Sequence, residues 1–387
     1  MGCDRRPTIN DDFTKEFIMR SILAIIFLMT ALPVLASDLP LPKIYGKINK
    51  ESRYVSQTGL NGTTPYRKYK GIVDVTNSES RLGAKGEFKM DGPTLNYVLE
   101  LGLNSTYYTD TAGRVRVRYA YLAFNDFWGT LTAGQTYVPS AALGLKLDPL
   151  STTSVGLQGQ DQAPSYGGDV KSATSDIGYV YRGMKDLISY ATPKFWGLQY
   201  TLSIDVNDYH DLSNPAGKKV IDYFEHMLTW GKAWDTLKLD FFLGLTTWSD
   251  SSRQDTKRWW GGPQLAMGPL TFSAMYTFNK LKNDTGSRDT DTYTMLGATY
   301  KQEKHKISLS YGMHDIEHGN KVATNTAGNI YWERQIAAGY FYAMTENFEL
   351  RATYGNLRVK TDHPTVATAS AFDNKANSFA LGAQLCF

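Results

Sequence analysis

The sequence predicts an all-β protein: a transmembrane antiparallel β-barrel of 16 strands. Two observations predict it. Apolar and polar residues alternate in segment after segment, and the connections between these segments are alternately short and long. A period of two marks a strand with one apolar and one polar face. Because lipid offers no partner to an open sheet edge, a sheet with an apolar outer face must close into a barrel.

The composition of the 387-residue chain agrees with this fold class and excludes others. The 41 Lys+Arg and 38 Asp+Glu residues give a net charge of +3, which is not the footprint of a nucleic-acid-binding protein. The 2 cysteines cannot form a disulfide scaffold or a Cys-rich metal site. A mean hydropathy of −0.36 fits a soluble protein, but it equally fits a barrel whose polar lumen offsets its apolar outer belt.

The N-terminal region carries the pattern of a secretory signal peptide. Arg20 precedes an apolar run over residues 22–32. Val34 and Ala36 are the small residues expected at −3 and −1 of a cleavage site before Ser37. A membrane anchor is the alternative, although the apolar run is short for a membrane-spanning helix.

Three segments follow from this pattern. Residues 19–36 are predicted to be the signal peptide and residues 37–387 the barrel domain. Residues 1–18 have mixed charges that fit no part of a signal peptide, so we interpret them as a misassigned upstream extension. The mature chain would keep one thiol, that of Cys386, and we expect no disulfide, metal or cofactor.

The predicted strands each carry an apolar row. In the stretch 198–205, Leu, Tyr, Leu and Ile alternate with Gln, Thr, Ser and Asp. The 16 strands are expected to begin near Ile44, Arg81, Leu95, Val115, Thr130, Asp186, Leu198, Tyr223, Leu237, Trp259, Leu270, Tyr293, Lys306, Tyr331, Phe348 and Asn377.

The connections between these strands predict two different rims. Short turns are expected at 91–93, 125–129, 195–197, 267–269 and 345–347. Longer connections are expected at 56–70, 140–175, 208–221, 249–257, 282–290 and 317–329. Outer-membrane barrels have tight periplasmic turns and long external loops, and a soluble sandwich has no reason to separate its loops in this way.

The end of the chain supports the same fold. Apolar residues occupy every second position up to the terminal Phe387. We interpret Phe387 as the signal that the outer-membrane assembly machinery reads. Tryptophans gather near strand ends, where an amphipathic ring suits the membrane interface.

Several short motifs, in their order and spacing, resemble those of the Gram-negative general diffusion porins. They are Tyr45-Gly46-Lys47, the segments 80–86, 118–122, 129–135 and 190–193, and the terminal Phe387. The resemblance implies a 16-stranded barrel, usually a homotrimer, in contact with outer-membrane lipid and lipopolysaccharide. It implies passive diffusion of small hydrophilic solutes and ions, with no nucleic-acid partner.

In these porins the connection after the fifth strand folds inward and narrows the channel. Here that connection is 140–175. Asp161 and Asp169 match the acidic segment of the family's loop, whereas Ser165 stands where the family has a Glu. The resemblance therefore implies a constriction that lacks one acid.

The family also has a ladder of basic residues on the wall opposite this loop. Lys47, Arg81 and Arg118 match it by motif, and Arg116 lies on the face of Arg118. The fourth cation of the ladder is Arg182 by motif or Lys185 by parity. Cations and carboxylates that face each other across a narrow gap create a transverse field. With one acid missing, we expect weak selectivity tilted toward anions.

Two other functions are compatible with a barrel. A substrate-selective channel, for example for sugars or phosphate, would be marked by aromatic residues along the lumen, but we expect the lumen rows to be charged and small polar. An outer-membrane barrel enzyme would need a catalytic pattern. The chain has no Gly-x-Ser-x-Gly motif. Its His314…His318 motif would need a helix to bind zinc but falls in a predicted strand.

Overall fold

The computed structural model describes ten stretches of the chain. They are residues 41–58, 65–74, 79–103, 115–155, 184–205, 223–248, 253–283, 288–317, 330–362 and 372–387. The predicted signal peptide, 19–36, and the predicted extension, 1–18, lie outside them. The barrel is formed by the unit Lys43–Phe387.

In the residues that the structure describes, seventeen strands form one closed antiparallel sheet, and one helix is present. The strands are β1 (Lys43–Thr58), β2 (Pro65–Asp74), β3 (Ser80–Lys89), β4 (Thr94–Leu103), β5 (Val115–Asp126), β6 (Gly129–Tyr137), β7 (Met184–Ala191), β8 (Leu198–Asp205), β9 (Tyr223–Trp234), β10 (Leu237–Trp248), β11 (Arg253–Met267), β12 (Leu270–Asn283), β13 (Arg288–Gln302), β14 (His305–Glu317), β15 (Ile330–Ala343), β16 (Phe348–Asp362) and β17 (Phe372–Cys386). The helix is α1 (Pro139–Leu147).

The seventeen strands occupy 16 positions around the barrel, as predicted. Strand β1 pairs with β17 and closes the ring. On its other side, β1 pairs with β2 along residues 50–58 and with β3 along residues 43–47, so β2 and β3 share one position. The prediction that 56–70 is a connection is therefore wrong, because β1 continues to Thr58 and β2 begins at Pro65.

The connections alternate in length, with two further exceptions to the predicted pattern. At the short rim, Gly268 has a φ of +53° and, with Pro269, joins β11 to β12. At the other rim, only residues 249–252 separate β10 from β11, and only 284–287 separate β12 from β13. Long connections there were wrongly predicted, because these strands extend past the apolar belt into residues whose polarity hides the alternation.

The two faces of the wall differ as the alternation predicts. On β12, the side chains of Phe272 and Tyr276 are exposed on the outer face, whereas those of Ser273, Met275 and Thr277 are buried on the inner face. Similar outward rows of Leu, Ile, Phe and Tyr occur on the other described strands. The barrel thus presents an apolar surface to its surroundings, as lipid contact requires.

The connection after β6, the fifth barrel position, folds inward over its described part, residues 138–155. Leu143 and Leu147 of α1 pack against inward residues of β10–β13, among them Phe242 and Met275. Leu150 and Val155 pack against inward residues of β15. This confirms the predicted inward loop for the residues that the structure describes.

Helix α1 was not predicted, since nine residues are too few to show a helical period. Pro139 begins it, which suits the first turn of a helix, where an N–H has no partner within the helix. Pro149 follows its C-cap, Asp148, and disfavours helical backbone there. In the described part of the chain, no helix has both the length and the apolarity needed to span a membrane.

Candidate functional site

The inward segment, residues 138–155, lines about half of the inner wall. Its hydrogen bonds reach Glu225 on β9, Ser273 on β12, Gln335 on β15 and Glu51 on β1. Strands β9 and β1 lie at positions eight and one of the 16-position ring. The inward segment therefore runs along the β9–β15 wall and reaches β1 at residues 49–51. On the other side it leaves the β3–β8 wall and the adjoining residues 43–47 of β1, which together are called here the open wall.

A buried carboxylate holds the beginning of the inward segment. Glu225 accepts hydrogen bonds from the backbone N–H and the hydroxyl of Ser140, the latter at 2.7 Å. The hydroxyls of Tyr223 and Thr246 also donate to it. Ser140 lies in the first turn of α1, where N–H groups lack intrahelical partners and favour negative charge. Glu225 thus caps the helix from the barrel wall.

A second buried carboxylate holds the end of the same segment. Glu51 accepts the backbone N–H of Ser154 at 3.0 Å and pairs with Arg351 Nε at 2.8 Å. Beside it, Asn49 Nδ2 donates to the carbonyl of Thr152 at 3.4 Å. The inward segment is therefore fixed to the wall at both of its described ends.

Three predicted basic residues lie in one register row at the edge of the open wall. Lys47 of β1 is opposite Arg81 of β3, Arg81 is opposite Gly102 of β4, and Gly102 is opposite Arg116 of β5. Directly opposite residues share a face. A Cβ on Gly102 would meet the side chains of Glu79 and Arg118, so glycine leaves room for them.

Arg118 reaches this row through a β-bulge. Glu100 of β4 is opposite Tyr119, and Leu101 is opposite Val117, so Arg118 is an extra residue in β5. A bulge bends its strand and re-aims side chains. Here it allows both Arg118 and Tyr119 to face the lumen.

Two buried carboxylates lie beneath these cations. Arg118 Nη1 lies 2.6 Å from Glu79 Oε1, and its Nε lies 2.8 Å from Glu100 Oε1. Arg116 Nε also pairs with Glu79 at 2.9 Å, and Arg81 Nη1 with Glu100 at 3.3 Å. The side chain of Glu79 is 1% exposed, whereas that of Arg116 is 56% exposed. Water in the lumen therefore meets guanidinium groups, with the carboxylates behind them.

A break in the second barrel position places Glu79. Asp74, the last residue of β2, is opposite Lys50, and Arg81 is opposite Lys47. Asp74 and Arg81 are thus seven residues apart in the sequence but are opposite residues only three apart on β1, and the backbone N–H of Asn49 donates to Ser80 Oγ at 3.1 Å. Sequence reasoning missed Glu79 because parity cannot be followed through such a break. Glu100, in contrast, lay on the polar row of a predicted strand.

The other predicted site residues have mixed outcomes. Lys185 lies in β7, opposite Thr136 of β6. Arg182 and the three predicted loop residues, Asp161, Ser165 and Asp169, lie outside the described residues.

The terminal residue lies where the barrel closes. Phe387 exchanges backbone hydrogen bonds with Gly46, at 2.8 and 3.1 Å. Its ring covers Gly46, where a Cβ would overlap it. The assembly-signal role assigned to Phe387 remains a prediction.

The lumen also contains tyrosines that were not expected there. Tyr45, Tyr119, Tyr121 and Tyr137 lie beside the basic row, and Tyr45 donates to Glu100 at 2.9 Å. The expectation that the lumen rows are not aromatic is therefore wrong for this wall. Tyrosines on the lumen face were not anticipated, because a register row across four strands is not visible in a linear sequence.

His314 is the first histidine of the motif considered above, whose second, His318, lies outside the described residues. His314 lies in strand β14, and its Nε2 is 2.6 Å from Asp291 Oδ1. Among the residues that the structure describes, no group of three or more His, Cys, Asp or Glu is arranged to hold a metal ion.

Solved structures share this fold over most of the chain. An anion-selective porin from Comamonas acidovorans has a TM-score of 0.67 at 18% identity, covering 89% of this chain and 99% of that one. The outer membrane channel DcaP of Acinetobacter baumannii has a TM-score of 0.61 at 14% identity, with coverages of 89% and 97%. In vitro folded OmpT, an outer membrane protein of Vibrio cholerae in a trimer form, has a TM-score of 0.58 at 14% identity, with coverages of 89% and 99%.

Sequence comparison identifies the family. No curated protein matches the chain at a significant level. A family model described as Gram-negative porin matches residues 22–362, which is most of the chain. The chain therefore belongs to the Gram-negative porin family.

Proposed function

We propose that the protein is a water-filled channel of the outer membrane, through which small hydrophilic solutes and ions diffuse passively, with a weak preference for anions. The observation that carries the preference is the arrangement of charge on the open wall, where the cations lie nearer to the lumen than the carboxylates. The partly exposed guanidinium group of Arg81 and the exposed one of Arg116 face the lumen above the buried carboxylates of Glu79 and Glu100.

The charges at this wall nearly balance, which is why the preference is weak. Three arginines, including Arg118, and two glutamates leave a net charge of +1 in the cluster (3 − 2). Screening is less effective in a narrow lumen than in bulk salt, so the outermost groups dominate the field that an ion meets. The similarity in fold to an anion-selective porin supports the same direction.

We infer that the acidic side of the constriction is supplied by Asp161 and Asp169, with Ser165 contributing no charge. Replacing Asp161 with Asn is then expected to increase the anion preference. A clear cation preference that survives this replacement would contradict the assignment. Lys185 or Arg182 would extend the basic side.

Assembly and export complete the proposal. We infer a homotrimer, which the trimer form of the structurally similar Vibrio cholerae OmpT supports. We also infer contact with outer-membrane lipid and lipopolysaccharide through the apolar outer face, export by the signal peptide 19–36, and assembly through Phe387.

Planar bilayers test the channel directly. The purified protein is expected to produce stepwise conductance. In a KCl gradient, the reversal potential is expected to have the sign that chloride selectivity gives. Arg116→Gln should move that potential toward zero, because it removes the most exposed of these cations. Lys280→Gln, on the outer face of β12, is the matched control and should leave it unchanged. A reversal potential with the sign that potassium selectivity gives would overturn the anion preference, and absence of conductance would overturn the proposed channel function.

A further inference from the structure

We propose that the open wall contains a binding site for small anionic solutes that carry an aromatic ring, with aryl carboxylates as the simplest class. The proposal rests on the channel function proposed above and specifies which solutes interact with its wall. It is built from the basic row, Lys47, Arg81 and Arg116, and from the neighbouring tyrosines, called here the tyrosine wall: Tyr45, Tyr119, Tyr121 and Tyr137.

The basic row and the tyrosine wall are adjacent in register. Tyr45 is opposite Gly83, Gly83 is opposite Glu100, and Glu100 is opposite Tyr119. The register row that contains Tyr45 and Tyr119 is called here the tyrosine row. On β1 it lies two residues from the basic row, nearer to the short rim. Two residues along a strand span about 7 Å. A ring on the tyrosine row and a carboxylate on the basic row are therefore one small molecule apart.

Glycine creates the space in which Tyr45 lies against the wall. A Cβ on Gly83 would overlap the ring of Tyr45. At the opposite end of the tyrosine row, Tyr119 makes edge contacts with Tyr121 and Tyr137, with ring centroids 6.0 and 5.7 Å apart. All four rings are partly exposed, so the tyrosine wall presents aromatic surface to the lumen.

Arg118 joins the two rows. Its guanidinium carbon lies 5.9 Å from the ring centroids of both Tyr119 and Tyr137, and its Nη2 donates to the Tyr137 hydroxyl at 3.1 Å. The same guanidinium is paired with Glu79 and Glu100. Arg118 is thus occupied in holding the site together, while Arg81 and Arg116 offer the more exposed guanidinium groups to a solute.

The chemistry of these rows determines the class of solute. Guanidinium groups bind carboxylates through hydrogen bonds of about 2.8 Å. Tyrosine rings prefer a second ring at offset or edge geometry. A neutral sugar would use only the tyrosines, and an aliphatic carboxylate only the arginines. An aryl carboxylate uses both, because its ring and its charge are directly bonded.

Block of the chloride current tests this inference. Benzoate, cyclohexanecarboxylate, acetate and glucose are added in turn to the reconstituted channel, and the half-blocking concentration of each is measured. We expect benzoate to block at a concentration about five-fold lower than cyclohexanecarboxylate, since an aromatic pair contributes a factor of about two to ten. Acetate should block more weakly still, and glucose least.

Variants separate the ring from the charge. Tyr119→Leu combined with Tyr121→Leu removes two of the four rings and should reduce the difference between benzoate and cyclohexanecarboxylate from about five-fold to about two-fold. Tyr121→Leu alone should reduce that difference, and it serves if the double variant does not fold. Tyr119→Phe keeps the ring and should keep the difference. Tyr276→Leu, on the outer face of β12, is the matched control.

Two outcomes would overturn the inference. One is equal block by benzoate and cyclohexanecarboxylate, or stronger block by glucose, in the unmodified channel. The other is a benzoate preference of unchanged size in the variant that lacks the rings of Tyr119 and Tyr121. In both cases normal conductance with an anion-side reversal potential would leave the proposed function intact, whereas absence of conductance would overturn both.

Discussion

Arg118 and Glu79 form an ion pair of 2.6 Å in which both side chains are only 1% exposed. Each belongs to an irregularity of the wall: Arg118 to the bulge in β5, and Glu79 to the break between β2 and β3. Two departures from regular pairing are thus joined by one charge pair. The basic side of the open wall depends on that pair for its geometry and for its net charge.

Replacing Glu79 with Gln is expected to strengthen the anion preference. The change removes one of the two carboxylates beneath the arginines and raises the cluster's net charge from +1 to +2, while Glu100 still holds Arg118. The reversal potential in a KCl gradient should shift further toward the equilibrium potential of chloride. Glu303→Gln, in the short-rim turn between β13 and β14, makes the same change in charge on the far side of the barrel from the basic row. Equal shifts in both variants would show that only total charge matters.

Loosening the inward segment is expected to make the open channel noisier. Glu225→Ala removes the acceptor for the N–H and the hydroxyl of Ser140. Open-channel current noise should rise, and closure should occur at lower voltage. Glu225→Gln keeps one acceptor oxygen, and its current noise should be close to that of the unmodified channel. Noise at the original level in the alanine variant would show that Glu225 does not fix the segment.

The buried pair of Glu51 and Arg351 is expected to contribute strongly to stability. Glu51→Ala would leave Arg351 as a buried cation without that carboxylate, which costs about 3–5 kcal/mol. Thermal unfolding in detergent, followed by the loss of β circular dichroism, should occur at a clearly lower temperature. Asp315→Ala removes an exposed partner of Arg334, and it should cost about 1 kcal/mol or less. Similar losses in the two variants would contradict this assignment.

Removing the terminal ring is expected to impair assembly more than stability. The Phe387 side chain is 60% exposed, so Phe387→Ala should change the melting temperature of the refolded barrel only slightly. The amount of folded protein in the outer membrane of expressing cells should fall severalfold. Phe379→Ala, also exposed on the outer face of β17, is the control and should assemble normally. Normal assembly without Phe387 would remove its role as a signal.

Alternation predicted the barrel well because one physical constraint acts on every strand. Strands β5, β8, β9, β10, β12 and β16 begin at the predicted residues, and several others begin within one or two. Starts were predicted too late for β11, β13 and β17, which begin at Arg253, Arg288 and Phe372. There the strand continues beyond the lipid, and neither face needs to be apolar.

The candidate site was predicted in part, for a related reason. The sequence motifs identified Lys47, Arg81 and Arg118, and parity identified Arg116. Glu79 and the tyrosine wall were not recognised, because their positions depend on a strand break, a bulge and pairing across four strands. These are relations between distant parts of the chain, and local periodicity carries no information about them.

The inward segment has a consequence for how solutes pass. Since residues 138–155 are fastened along the β9–β15 side, the part of the passage that the structure describes is displaced toward the opposite side. A solute therefore travels beside one lining rather than down a central axis. Charges buried behind the segment, such as Glu225, should contribute little to permeation. Substitutions on β3–β8 can therefore change which solutes pass without altering the side of the barrel to which the segment is bound.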